Sequence, residues 1–314
     1  ERNFAIPAFV GTATTGMSGR NLAMLAKEVY TQAEKQGGEA SEATWQEITA
    51  RFHKAGNTPV DKGAQWGSLV LPDAVIDKLR TLCDTLRQVE EYKAQGFDVP
   101  TGALLYGPPG TGKTQIARTL ANESGLAFIA ATTADLKAGY VGQCGQKTRE
   151  LFERARGAAP CILFIDEIDA VCPTRGSRRS DTFTDEIVVQ FLQEMNGVVA
   201  SERPVFVLAA TNLMDTIDPA VLSRFEEKIP IDNPDAAQRQ RLFRQALGKL
   251  PADFDRDALA TELAGVTDGI GGRDILSIVR RASQRAVRRS AGNAKAAQLL
   301  RADLMSELPA GPGA

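Results

Sequence analysis

Between residues 103 and 231 short apolar runs alternate with stretches of helical periodicity. The runs fall at 103–107, 127–131, 161–166, 205–210 and 228–231. Between them, apolar positions recur every three or four residues over 113–124, 145–157, 183–196 and 218–223. Short apolar runs with little polar alternation are strands buried on both faces, and strands separated by helices assemble into parallel sheet. The expected fold class is therefore α/β, with a five-stranded parallel sheet and helices on both faces. After Asp232-Asn233-Pro234-Asp235 the strand signal stops. Residues 236–306 read as helices only, broken at Gly269, Gly271 and Gly272, which predicts a small all-helical domain. Ahead of the sheet, Leu71-Pro72-Asp73 opens a helix whose apolar face is Val75, Ile76, Leu79, Leu82 and Leu86. Pro59, Gly63, Gly67 and Pro72 mark residues 59–72 as a linker. The Pro/Gly-rich end, residues 309–314, is expected to fray.

The first 58 residues carry a partial repeat. Thr14-Thr15-Gly16-Met17-Ser18-Gly19-Arg20 matches Thr267-Asp268-Gly269-Ile270-Gly271-Gly272-Arg273, each position 253 residues before its counterpart. At the same offset Leu22, Leu25, Ala26, Val29 and Ala33 align with Ile275, Ile278, Val279, Ala282 and Ala286, both sets spaced as one buried helix face. The repeat has no glycine-rich loop of its own. Residues 1–58 thus read as the helical end of a preceding related domain, followed by a linker at 59–72, an α/β domain at 73–235 and a helical domain at 236–314. The chain opens on Glu1 rather than Met, which fits a piece of a longer protein.

The chemistry concentrates at two points. Gly107-Pro108-Pro109-Gly110-Thr111-Gly112-Lys113-Thr114 lies between the first apolar run and the helix that Gln115-Ile116 continues. G-x-x-x-x-G-K-[ST] in that setting is a phosphate-binding loop. Gly110 and Gly112 let successive N–H groups converge, and the following helix adds its positive end. Lys113 would reach the terminal phosphates and the Thr114 hydroxyl a Mg²⁺ ion. The second point is Cys161-Ile162-Leu163-Phe164-Ile165-Asp166-Glu167, a strand ending in two carboxylates at the edge where parallel sheets bind ligands. Asp166 suits the metal side and Glu167 suits a residue that orients and polarises an attacking water.

Composition narrows the remaining possibilities. The formal charge is −2 on 314 residues, so no global electrostatic term favours nucleic acid or a membrane surface. His53 is the only histidine, which excludes a multi-histidine metal site within these residues. Cys83, Cys144, Cys161 and Cys172 are scattered without a C-x-x-C pair, as expected of free thiols in a reducing, cytoplasmic setting. No signal peptide or apolar run of membrane-spanning length is present.

The loop and the acidic strand, followed by Ala209-Ala210-Thr211-Asn212 and by Ile217-Asp218-Pro219-Ala220-Val221-Leu222-Ser223-Arg224-Phe225, resemble the AAA subfamily of AAA+ ATPases over residues 64–300. With the N-terminal repeat, the chain resembles the second module of a tandem-domain member. The resemblance implies a P-loop NTPase fold with a helical lid and Mg²⁺-dependent ATP hydrolysis. It further implies a ring of copies, a hexamer, that remodels, unfolds or threads protein substrates chosen through an adaptor. Nucleotide contacts would come from Gly107, Pro108, Pro109, Gly110, Thr111, Gly112, Lys113, Thr114 and Gln115, and metal contacts from Thr114 and Asp166. Glu167 would act on the water, Asn212 as a sensor of the γ-phosphate, and Arg224 as a finger reaching the next subunit's nucleotide. Gly139-Tyr140-Val141-Gly142 resembles the aromatic pore loop, placing Tyr140 and Val141 on the substrate. Arg273 reads either as a sensor arginine of the lid or as a structural residue shared with Arg20. Residues 175–179 resemble a second pore loop or a solvated basic loop. Ser223 stands where many relatives have another arginine, and Gly145 where many have glutamate. The Arg280, Arg281, Arg285, Arg288 and Arg289 stripe reads as a solvated or inter-subunit face, not a nucleic-acid surface. A regulatory module that uses ATP binding for assembly control is the alternative, and a nucleic-acid motor fits the acidic and aromatic motifs less well.

Overall fold

The computed structural model describes residues 10, 19–35, 40–54, 64–137, 144–175, 182–199, 204–248, 250–290, 292–293 and 296–308. Two compact units emerge. The first comprises Glu1–Ser68, Asp77–Tyr106 and Thr114–Ile229, the second Leu69–Ile76, Gly107–Lys113 and Pro230–Ala314.

The first unit opens with α1 (Gly19–Lys35) and α2 (Glu42–Lys54), which share a small core of Leu25, Val29, Trp45 and Ile48. Ala26, expected on that face, is exposed, whereas its counterpart Val279 is buried. Helix α3 (Asp73–Arg87) starts at Asp73 as predicted and buries Leu79, Leu82, Cys83 and Leu86, whereas Val75 and Ile76 are only half-buried. A short α4 (Val89–Ala94) leads to the sheet.

The strands are β1 (Gly102–Tyr106), β2 (Ala127–Ala131), β3 (Cys161–Ile165), β4 (Val205–Thr211) and β5 (Glu227–Pro230), in the order β2-β3-β4-β1-β5. The sheet is the five-stranded parallel one that the apolar runs predict, each strand within about a residue of its run. Connecting elements are α5 (Lys113–Ser124), α6 (Thr133–Lys137), α7 (Cys144–Gly157), α8 (Ile168–Val171), α9 (Thr182–Val199) and α10 (Pro219–Leu222). Every residue of β3 and β4 is buried, which is why neither strand shows polar alternation. Register puts Leu104, Ile129, Leu163, Val207 and Ala209 on one face with α7 and α9, where the Phe152 and Phe191 rings meet edge-on at 5.6 Å. The other face carries Phe128 stacked on Phe164 at 6.0 Å. Arg156 on α7 reaches Glu194 on α9 at 2.7 Å, tying the two helices.

The second unit packs α11 (Ala236–Leu247), α12 (Arg256–Val266), α13 (Gly272–Arg289) and α14 (Arg301–Met305) around Phe243, Leu263, Ile275, Ile278, Ala282 and Leu304. Asp235 and Gln238 form a capping box that starts α11. The basic stripe has a partly internal use: Arg281 and Arg285 pair with Glu307, and Arg289 pairs with Asp303, fastening α14 and its continuation to α13. Arg280 and Arg288 stay exposed.

Candidate functional site

The phosphate loop spans Gly107–Lys113 and its shape follows from its glycines. Gly107, Gly110 and Gly112 have φ of +143°, +78° and +93°, values that side chains rarely adopt. A Cβ at Gly107 would lie 2.2 Å from the Ile231 carbonyl oxygen, so this position excludes any other residue. Within the same unit the lid helix approaches the loop through its backbone. The Arg273 N–H donates to the Gly110 carbonyl at 3.0 Å, and a Cβ on Gly271 would sit 3.4 Å from the Pro109 oxygen. A Cβ at Gly271 or Gly272 would make only ordinary contacts, so space does not demand glycine at either position, and the Arg273 side chain is exposed.

Lys113 is 7% exposed, and its ammonium donates to the Gly107 and Pro108 carbonyls at 2.8 Å each. The Thr111 hydroxyl also donates to the Pro108 carbonyl. Among the described residues, the backbone N–H groups of Gly110, Thr111 and Gly112 have no hydrogen-bond acceptor. Successive unpaired donors ahead of a 12-residue helix are the donor set a polyphosphate requires. Pro108, Pro109 and Gln115 belong to the loop and the first turn of α5, with Gln115 exposed.

The next residue, Thr114, donates its hydroxyl to Asp166 Oδ2 at 2.8 Å. Asp166 Oδ1 accepts the Glu167 N–H at 3.0 Å. Glu167 has φ 53° and ψ 46°, the one positive φ outside glycine among the described residues, and its side chain is exposed. Left-handed backbone at a non-glycine residue costs about 1–2 kcal/mol and clusters where function fixes a side-chain direction. A hydroxyl paired with one carboxylate fits Mg²⁺, which takes few protein ligands and completes its shell with phosphate oxygens and water. No cluster of three or more His, Cys, Asp or Glu able to hold a metal by itself occurs among the described residues.

Two residues that the sequence reading passes over complete this edge. The Thr211 hydroxyl donates to Asp169 Oδ1 at 2.5 Å and accepts the Leu213 N–H at 2.9 Å. The turn that carries Asn212 is thereby fixed to the helix that follows Glu167. The signal was adjacency: Asp169 closes the Asp166-Glu167-Ile168-Asp169 motif, and Thr211 precedes Asn212. Asn212 is exposed at the end of β4. Arg224 is exposed as well, between the buried anchors Val221 and Phe225. Tyr140, Val141 and residues 176–179 lie outside the described residues.

Cys83, Cys161 and Cys172 are buried free thiols. Burial pushes Cys83 up to about 11 and Cys161 up to about 12, and Cys172 rises further from burial and then from the nearby Asp218 charge. Among the described residues no helix is long and apolar enough to cross a membrane.

The stretch that carries these residues is similar to known proteins. Residues 103–233 match the family described as "ATPase family associated with various cellular activities (AAA)". ATP-dependent zinc metalloprotease FtsH 1 of Symbiobacterium thermophilum is 37% identical over 256 residues, 80% of this chain and 42% of that protein. The Cell division cycle protein 48 homolog of Archaeoglobus fulgidus is 41% identical over 206 residues, 65% of this chain and 28% of that protein. The chain thus spans less than half the length of these curated relatives. The crystal structure of the FIGL-1 AAA domain in complex with ADP superposes with a TM-score of 0.66 at 24% identity, covering 79% of this chain and 84% of that one, a likeness of fold. The loop, the acidic strand end and nearly the whole sheet lie inside residues 103–233, the stretch that matches the AAA family.

Proposed function

We propose that the chain binds ATP with Mg²⁺ and hydrolyses it, and that a ring of copies, a hexamer, couples turnover to remodelling, unfolding or threading of protein substrates. The observation that carries the reading is the phosphate loop: three consecutive unpaired N–H groups, followed directly by Lys113 and by a Thr114 hydroxyl held on Asp166. In this reading the loop amides and Lys113 hold the phosphates, and Lys113 exchanges the Gly107 and Pro108 carbonyls for phosphate oxygen. Bound Mg²⁺ would neutralise charge developing on the terminal phosphates. Thr114 and Asp166 hold that ion. Glu167 orients and deprotonates the attacking water, Asn212 fixes the water's far side, and Arg224 stabilises charge at the neighbouring copy's nucleotide.

The relatives' zinc-protease name does not transfer to these residues, because a single histidine cannot supply an H-E-x-x-H pair. Residues 1–58 we read as the helical end of a preceding AAA module. In support, α1 starts at Gly19 and α13 at Gly272, the offset of the sequence repeat, and Leu25, Val29 and Ala33 are buried as Ile278, Ala282 and Ala286 are. Tyr140 and Val141 are proposed to grip substrate, and the cytoplasm is the proposed compartment.

A trap tests the threading step. The native protein carrying Glu167→Gln, with a photo-crosslinking residue at position 140, is irradiated in cell extract with and without ATP. ATP-dependent adducts to a restricted set of polypeptides are expected. Adducts only to other copies of the chain would move the function to ATP-controlled assembly.

A further inference from the structure

Arg224 needs its backbone held still if its guanidinium is to act on a neighbouring nucleotide, and buried Val221 and Phe225 anchor it locally. A second hold comes from a segment about 50 residues earlier in the chain. After Glu167, α8 runs into residues 172–175, which lie antiparallel to residues 216–218. Pro173 bridges Ile217, the Thr174 N–H donates to the Thr216 carbonyl at 2.8 Å, and the Asp218 N–H donates to the Cys172 carbonyl at 3.0 Å. The segment ends in an ion pair: Arg175 Nε donates to Asp218 Oδ2 at 2.8 Å. The Asp218 side chain is 3% exposed and that of Arg175 48%.

Asp218 divides its carboxylate between two tasks. Oδ2 takes Arg175, and Oδ1 accepts the Ala220 N–H at 2.8 Å, capping α10. From that cap the chain is wound tightly to the finger. The Ser223 N–H donates to the Pro219 carbonyl and the Arg224 N–H to the Val221 carbonyl, both at 3.0 Å. Burial alone would push the Asp218 carboxyl up. The bonds from Arg175 and Ala220 outweigh it and hold the group below the usual carboxylate range.

We propose that Arg175 and Asp218 form a positioning pair that sets the placement of Arg224. The strut that begins at the water-orienting Glu167 thereby ends on the segment that serves the next copy's nucleotide, so one subunit's site and its finger are built on one rigid piece. Arg175 touches no reacting atom in this account and acts through Asp218. The proposal rests on the reading of Arg224 given above.

The test is a set of variants of the native full-length protein, assayed for ATP hydrolysis and for binding of a fluorescent ATP analogue. Arg175→Ala and Asp218→Asn, which keeps the Oδ1 acceptor of the cap, are each expected to lower kcat on the order of 10–100-fold. KM and analogue binding should stay as in the parent, and Arg175→Lys should recover part of the rate. In an Arg224→Ala background, Arg175→Ala is expected to cause no further loss. An Arg175→Ala protein as fast as the parent, when Arg224→Ala is slow, would overturn the pairing. An equal loss in both backgrounds would overturn it too, since the effect would then bypass Arg224. A fast Arg224→Ala protein would instead remove the finger itself, and the positioning role with it.

Discussion

The phosphate loop and the acidic turn at the end of β3 solve the same problem, a backbone held in an unfavourable conformation, by opposite means. The loop uses glycine. At Gly107 the φ of +143° and the Ile231 carbonyl leave room for hydrogen only, so the amino acid itself encodes the shape. The turn places Glu167, a residue with a full side chain, at φ 53° and holds it there by its neighbours. Asp166 accepts the Glu167 N–H, Asp169 accepts the Thr211 hydroxyl, and the Glu167 carbonyl accepts the Ala170 N–H at 2.9 Å. In the proposed function the loop needs only backbone donors for phosphate, so glycine suffices, whereas a group proposed to act on water must be a side chain, so its strain has to be carried by its neighbours.

Three substitutions separate these two devices. The largest effect is expected at Gly107→Ala, where a methyl group meets a carbonyl across the loop. Stability should fall by about 3 kcal/mol, read as thermal or denaturant unfolding, and nucleotide binding should fall with it. A variant as stable as the parent would show that the loop is not backbone-determined. Thr211→Val removes the hydroxyl and leaves Asp169 without its partner. A loss of about 1–3 kcal/mol is expected by the same measurement. Hydrolysis should also slow, because the turn under Asn212 is released. Glu167→Gly is expected to act in the other direction on stability. Glycine takes the left-handed conformation without the Cβ penalty, so the protein should gain about 1 kcal/mol while losing turnover. A destabilised Glu167→Gly protein would mean that the glutamate side chain supports the turn rather than burdening it.

The same contrast explains what was legible in the sequence. The five strands were, because β3 and β4 are buried along their whole length and show it as unbroken apolar runs. Helix α5, the start of α3 and the glycine loop were legible for equally local reasons. The elements α4, α6 and α8 were not, since four to six residues span too little of a helical turn pattern to register by period alone, whereas the equally short α10 has the Asp218 cap and Pro219 to mark its start. Among site residues, Lys113, Thr114, Asp166 and Glu167 are marked by adjacent motif. Asp169 and Thr211 matter through each other, at a separation of 42 residues, and Arg175 and Asp218 at 43. Pairings at such distances leave no trace in composition or period. In the helical unit the arginine stripe is exposed as its spacing predicted, but the pairing of three of its five residues with Glu307 and Asp303 was not legible.

In the proposed function the two devices serve one ATPase, the loop binding and the turn performing hydrolysis. Phosphate release and nucleotide binding, measured together on the parent protein and on Glu167→Gln with Mg²⁺ and saturating ATP, test this. The variant is expected to bind ATP as the parent does and to release phosphate at least about 100-fold more slowly. Equal rates of phosphate release in the two proteins would contradict it.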